Sequence, residues 1–149
     1  DARVRALIAE HGSLGPVLDR MRGLADRLGE GDGRGLRNDL VLLEADLQRV
    51  LAHERADETL LHPEIAPLVG GRDPLSAISR THREIAHLGR RFTRRVAELP
   101  AAGPEGADVV ELRRLLYALE AILRLHFAQE DEIYDSVAAE VERRLPAPA

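Results

Sequence analysis

Four runs of apolar residues, each repeating at three- and four-residue spacing and each cut off by Gly or Pro, dominate this chain and restrict it to helix packed on helix. The first extends from about Ala2 to Leu28 through Val4, Leu7, Ile8, Leu14, Leu18, Met21 and Ala25. Gly12, Gly15 and Pro16 predict a kink within it. The Gly-rich stretch from Gly29 to Gly35 is a loop. The second run spans about Leu36 to His62, with Leu36, Leu40, Leu43, Leu47 and Val50 in one stripe, and Pro63 ends or bends it. After Gly70-Gly71, Asp73 reads as an N-cap and Pro74 as the first helical position of a third helix carrying Leu75, Ile78, Ile85, Phe92, Val96 and Leu99. Pro100 to Gly106 forms another loop. Asp108 then caps a fourth helix striped by Leu112, Leu115, Leu119, Ile122, Ile133, Val137 and Val141. Long amphipathic helices on modest loops predict an all-α, antiparallel up-down-up-down four-helix bundle over residues 1–145. The Pro-Ala-Pro-Ala stretch at 146–149 reads as a tail or linker stub leading to a further domain.

Composition supports this and removes several chemistries. Aromatic residues are only 3%, so a core of Leu, Val, Ile and Ala is expected, which suits helices better than a sheet. With no Cys, the chain has no disulfide, thiolate zinc site, iron–sulfur cluster or Cys nucleophile. A formal net charge of −5 sets up no field that attracts nucleic acid. Every basic side chain besides the histidines is Arg, which with the abundant Ala reads as coding bias. No apolar run is long enough to enter a membrane and no signal pattern opens the chain, so a cytoplasmic location is expected. No Ser/His/Asp arrangement or phosphate-binding Gly loop is visible.

The apolar stripes are interrupted by polar residues, and in every helix. His11, His53, His82 and His126 each continue the seam of their own helix. Asp57 and Glu130 follow His53 and His126 by four residues, a step that returns to within roughly 40° of the starting face. Each His-x-x-x-carboxylate pair therefore projects into the bundle centre. The segments starting at His53 and His126 also share a pattern of His, three residues and two adjacent acids, which predicts a pseudo-two-fold site. One histidine on an apolar stripe is ordinarily a satisfied core residue. One on each of four helices, two with a carboxylate a turn later, is a metal site, because buried carboxylates and imidazoles need compensating charge. Mixed His/carboxylate ligation points to iron or manganese rather than calcium or structural zinc.

These residues, in this order, resemble the hemerythrin-like (HHE cation-binding) family over nearly the whole chain. Glu10-His11-Gly-Ser-Leu14 is similar to the family's opening His. His53-x-x-x-Asp57-Glu58 followed by Leu61-His62-Pro63 is similar to its His-x-x-x-Glu-Glu signature before Pro. Thr81-His82-Arg-Glu84-Ile resembles the third-helix His, and His126-x-x-x-Glu130 the last pair. The resemblance implies two iron ions, oxo- or hydroxo-bridged, with manganese or zinc as alternatives. His11, His53, His82 and His126 would then be terminal ligands and Asp57 and Glu130 bridges.

Three departures qualify it. Asp57 stands where Glu is usual. Four residues after His82 comes Ala86, where oxygen carriers have a second His; His87, one further on, would reach inward only through a π-bulge. Asp131 matches the carboxylate spacing of the carriers, whereas helix phase favours Glu130. His87, Glu58 and Asp131 are therefore additional candidate ligands. Glu54 and Glu58 are expected off the metal-facing side, His62 at the surface and Tyr134 in the core.

The function expected from this resemblance is binding or sensing of a small diatomic, oxygen or nitric oxide, rather than catalysis. The alternatives are an iron-sensing regulatory module or a peroxide-decomposing or oxidase-type enzyme. Six protein ligands with one iron partly open are expected.

Overall fold

The computed structural model describes residues 2–144, apart from the side chains of residues 2–5, 7 and 8, and those residues form helices and connecting turns with no strand. The expected tail at 146–149, and the apolar side chains of positions 4, 7 and 8 in the first stripe, lie outside what is described. Helix α1 is Ala2–Arg27, α2 Gly33–Ala56, α3 His62–Val69, α4 Ser76–Ala97 and α5 Ala107–Arg144; a single π turn, Asp57–Leu61, joins α2 to α3. The four long helices pack around a square, α1 and α4 each lying against both α2 and α5. This is the up-down-up-down helical bundle that the periodicity predicts. No helix among the described residues is long and apolar enough to cross a membrane.

The helix boundaries differ from expectation where turn chemistry intervened. Helix α1 runs on through Pro16. Asp32 caps α2 by accepting from the backbone N–H groups of Arg34 and Gly35, both at 3.1 Å, so that helix begins at Gly33 instead of Leu36. Asp73 does not cap α4 with its side chain. Its carbonyl accepts from Ser76 N–H at 3.4 Å, and this turn holds Pro74 and Leu75 outside the helix. Asp108 lies within the first turn of α5 rather than before it, where a negative charge favours the helix dipole. At that end of the bundle the backbones of Gly33 and Gly103 touch. A Cβ at Gly33 would stand 2.3 Å from the Ala102 carbonyl oxygen, so only glycine allows the approach.

The core has two parts. The larger holds Leu18, Met21, Leu40, Leu43, Leu47, Phe92, Leu112, Leu116 and Leu123 among others. The smaller gathers Leu61 and Ile65 beside Ile78, Tyr134 and Val137, where α3 lies against the distal half of α5. Between these two apolar clusters sits the polar centre.

Candidate metal centre

In α2 the buried series Leu40, Leu43, Leu47 and Val50 continues in alternating steps of three and four to Glu54, Asp57 and Leu61. In α5 the series Leu112, Leu116, Leu119 and Leu123 continues to His126, Glu130, Tyr134 and Val137, and in α4 His82 falls between Ile78 and Ile85. The helix surfaces that hold the bundle together thus become, midway along, the surfaces that hold the charged groups. His11, Glu54, Asp57, His62, His82, His126 and Glu130 are all buried, and His53 is nearly so.

These side chains form two donor groups. Glu54, His82, His126 and Glu130 can present one atom each within 4.8 Å of all the others, and so can His11, His53 and Asp57. In the first group the Nε2 atoms of His82 and His126 face each other at 2.8 Å, with Glu54 Oε2 at 2.9 Å and 2.5 Å from them. In the second, His53 Nε2 lies 3.2 Å from Asp57 Oδ2. Glu130, a member of the first group, also reaches the second: its Oε1 is 3.4 Å from His82 and 3.3 Å from His126, and its Oε2 is 3.2 Å from His11 Nε2.

The outward ring nitrogens meet a ring of partly exposed carboxylates. His11 Nδ1 is 2.8 Å from Asp131 Oδ1, His53 Nδ1 3.4 Å from Glu10 and His82 Nδ1 3.4 Å from Glu58. At His11, a proton on Nδ1 donated to Asp131 leaves the Nε2 lone pair directed inward, the tautomer that a metal ligand needs. Tyr134, wholly buried, donates its hydroxyl to Asp57 Oδ2 at 3.4 Å, and Phe127 stacks on His11 with centroids 4.6 Å apart.

The inward atoms are not satisfied by one another. Buried and without a hydrogen-bond partner are Nε2 of His11, His53 and His62, Oε1 of Glu54 and both carboxylate oxygens of Glu130. Such atoms normally find partners, and leaving them bare costs about 1–3 kcal/mol each. Imidazole and carboxylate lone pairs converging on two points suit cations, so the residues fit a metal. In the metal-free protein the charges are balanced by protons. Burial alone would lower the histidine pKa values, but the Glu130 and Glu54 carboxylates outweigh it, pushing His82 up to about 10 and His126 to about 9. His11 is raised in the same way by Glu130 and Asp131. Burial would raise Glu54 and Glu130, yet their histidine partners hold both below the ordinary carboxylate range, while burial does raise Asp57.

The structure brings together His11, His53, Asp57, His82, His126 and Glu130. It also corrects the sequence reading in four places. Glu54 was expected off the metal-facing side; it is in the centre, because a helix beside two donor groups can reach them from faces about 100° apart. Its signal was the three–four alternation through Leu47 and Val50. His62 was expected at the surface but is buried, because the π turn rotates it inward. His87 is exposed: α4 is a regular helix there, and the π turn lies in the second stretch instead. Glu58 and Asp131 lie outside both donor groups, against the outer nitrogens of His82 and His11.

The sequence profile of the Hemerythrin HHE cation binding domain matches residues 2–136. No curated protein and no solved structure gives a significant match to the chain.

Proposed function

Because the chain belongs to the hemerythrin HHE cation-binding family, we propose that its centre holds two iron ions and that this pair binds or senses a small diatomic molecule, oxygen or nitric oxide. The observation that carries this reading is Glu130, which turns one oxygen to each of two separate donor groups, as a bridging carboxylate would. One ion would lie among Glu54, His82, His126 and Glu130 Oε1, and the other among His11, His53, Asp57 and Glu130 Oε2. A ferrous pair would supply electrons and a free coordination position to a diatomic ligand.

The protein's own groups serve that chemistry by surrounding the centre with apolar side chains and fixing its geometry. Apolar clusters close the centre on both sides, and the stack of Phe127 on His11 shields one flank. A cavity of about 300 Å³, open to the surface, is lined by Ala6, Glu10, Ala56 and Leu60 together with His53 and Asp57. Asp131 holds the His11 ring from outside by a hydrogen bond, and the carboxylates of Glu10 and Glu58 lie 3.4 Å from the outer nitrogens of His53 and His82.

The test is metal analysis of protein loaded anaerobically with ferrous iron, followed by absorption spectra after exposure to air or to nitric oxide. Two irons per chain and new ligand-to-iron charge-transfer bands are expected. Substoichiometric metal after expression in iron-rich medium would overturn the reading. A second reading, iron sensing in itself, draws on the bare buried donors: a cation that satisfies them stabilises only the folded state. Strong stabilisation by iron with no spectral response to either gas would favour it.

A further inference from the structure

We propose that His62 is a further metal ligand, a fifth donor to the ion held among Glu54, His82, His126 and Glu130; this rests on the reading that the bundle holds a metal pair. His62 is 5% exposed, and neither ring nitrogen has a hydrogen-bond partner. A neutral imidazole always carries one N–H and one lone pair, so a histidine buried for packing alone would ordinarily find an acceptor for the first. Its Nε2 points instead at Glu130 Oε1 from 3.6 Å, the same oxygen that His82 and His126 approach. Donors about 2.1 Å from a common ion stand between about 3 and 4 Å apart, and the distance fits that range. The His62 ring also lies nearly parallel to that of His82, with centroids 5.3 Å apart and 10° between planes.

The backbone explains how it gets there. In a regular α-helix the fifth residue after Asp57 would point about 140° away from it. Pro63 has no N–H, and its ring would collide with the carbonyl of Thr59, four residues back. The helix widens just upstream into the π turn, in which His62 N–H donates to the Asp57 carbonyl, and Asp57 and His62 come onto one face. Helix α4 offers no second imidazole to the centre: one turn after His82 is Ala86, and His87 is exposed. His62 therefore supplies from α3 the imidazole that α4 lacks.

Cobalt(II), whose visible absorption reports coordination number, is the probe. Titrations would compare the full chain with His62→Ala, His62→Phe and His87→Ala. The Phe variant keeps an aromatic ring on the His82 stack without a donor. Expected are a loss of about tenfold or more in affinity for one ion and a more intense, lower-coordinate cobalt spectrum in both His62 variants, with His87→Ala unchanged. Free imidazole should restore the original spectrum in His62→Ala, where there is room for it, and not in His62→Phe. If His62→Ala does not fold, the Phe variant decides alone. Original affinity and spectrum in a folded His62 variant would overturn the proposal while leaving the metal pair intact. Failure of the unmodified chain to take up cobalt or iron would overturn both.

Discussion

The backbone N–H of His62 donates to the carbonyl of Asp57, five residues back, and this one wide turn decides what the second helical stretch offers to the centre of the bundle. Thr59 supports it by donating its hydroxyl to the Arg55 carbonyl at 2.7 Å, a local bond of the kind that bends helices.

Replacing Pro63 should therefore trade metal binding for helix stability. In Pro63→Ala a backbone N–H returns opposite the Thr59 carbonyl, and the π turn can relax to α geometry. The metal-free protein is expected to gain about 1 kcal/mol, and metal affinity to fall by about tenfold. Circular-dichroism melting and chelator competition read the two effects separately.

Glu130→Gln removes the carboxylate shared by the two donor groups. His11, His82 and His126 lose their common counter-charge, so the metal-free fold should be destabilised by about 3 kcal/mol. On the proposed metal pair, metal content should fall to one ion per chain at most. Denaturant unfolding with elemental analysis checks both.

Stability of the metal-free protein should depend on pH with a defined sign. His82 and His126 bind protons in the folded state up to about 10 and 9, against an ordinary 6.5. Their contribution is complete below pH 6.5 and lost as pH rises through those values, at about 1.4 kcal/mol per pH unit for each extra proton held. Glu54 and Glu130, both lowered from 4.5, contribute above that pH and lose their contribution as it falls; Asp57, raised from 3.8, acts in the opposite sense. Maximum metal-free stability is expected between pH 4.5 and 6.5. Metal affinity should rise with pH above this window, because an incoming cation must displace the histidine protons. Melting curves and proton release on titration with zinc measure the two slopes.

Asp131→Asn should weaken metal binding without disturbing the fold. The carboxylate is partly exposed and holds His11 Nδ1 at 2.8 Å; an amide can accept the same bond but carries no charge. A loss of about tenfold in metal affinity is expected, with little change in metal-free stability. Glu120→Gln, at a buried carboxylate paired with the exposed Arg124 on the same helix, should show the reverse pattern.

Most of the fold was legible in the sequence because helix periodicity is local. The steps of three and four that mark Leu40, Leu43, Leu47 and Val50 as core can be read without knowing any partner helix. The same steps led to Asp57, His82, His126 and Glu130. Glu54 is not legible from the phase of His53, which sits toward one edge of the buried face; it is in step with the leucines at its middle.

The sequence by itself determined that this chain makes long helices with imidazoles and carboxylates along their apolar seams, since each depends only on residues three or four apart. The tertiary structure decided how those groups divide into two sets, which carboxylate joins them, and that His62 enters while His87 stays outside. Those outcomes depend on contacts between residues far apart in the chain, such as His11 with Glu130 and Asp131. They depend as well on one wide turn, whose place beside Pro63 is compatible with the packing of α3 against α5. Neither is a property of any short stretch of sequence.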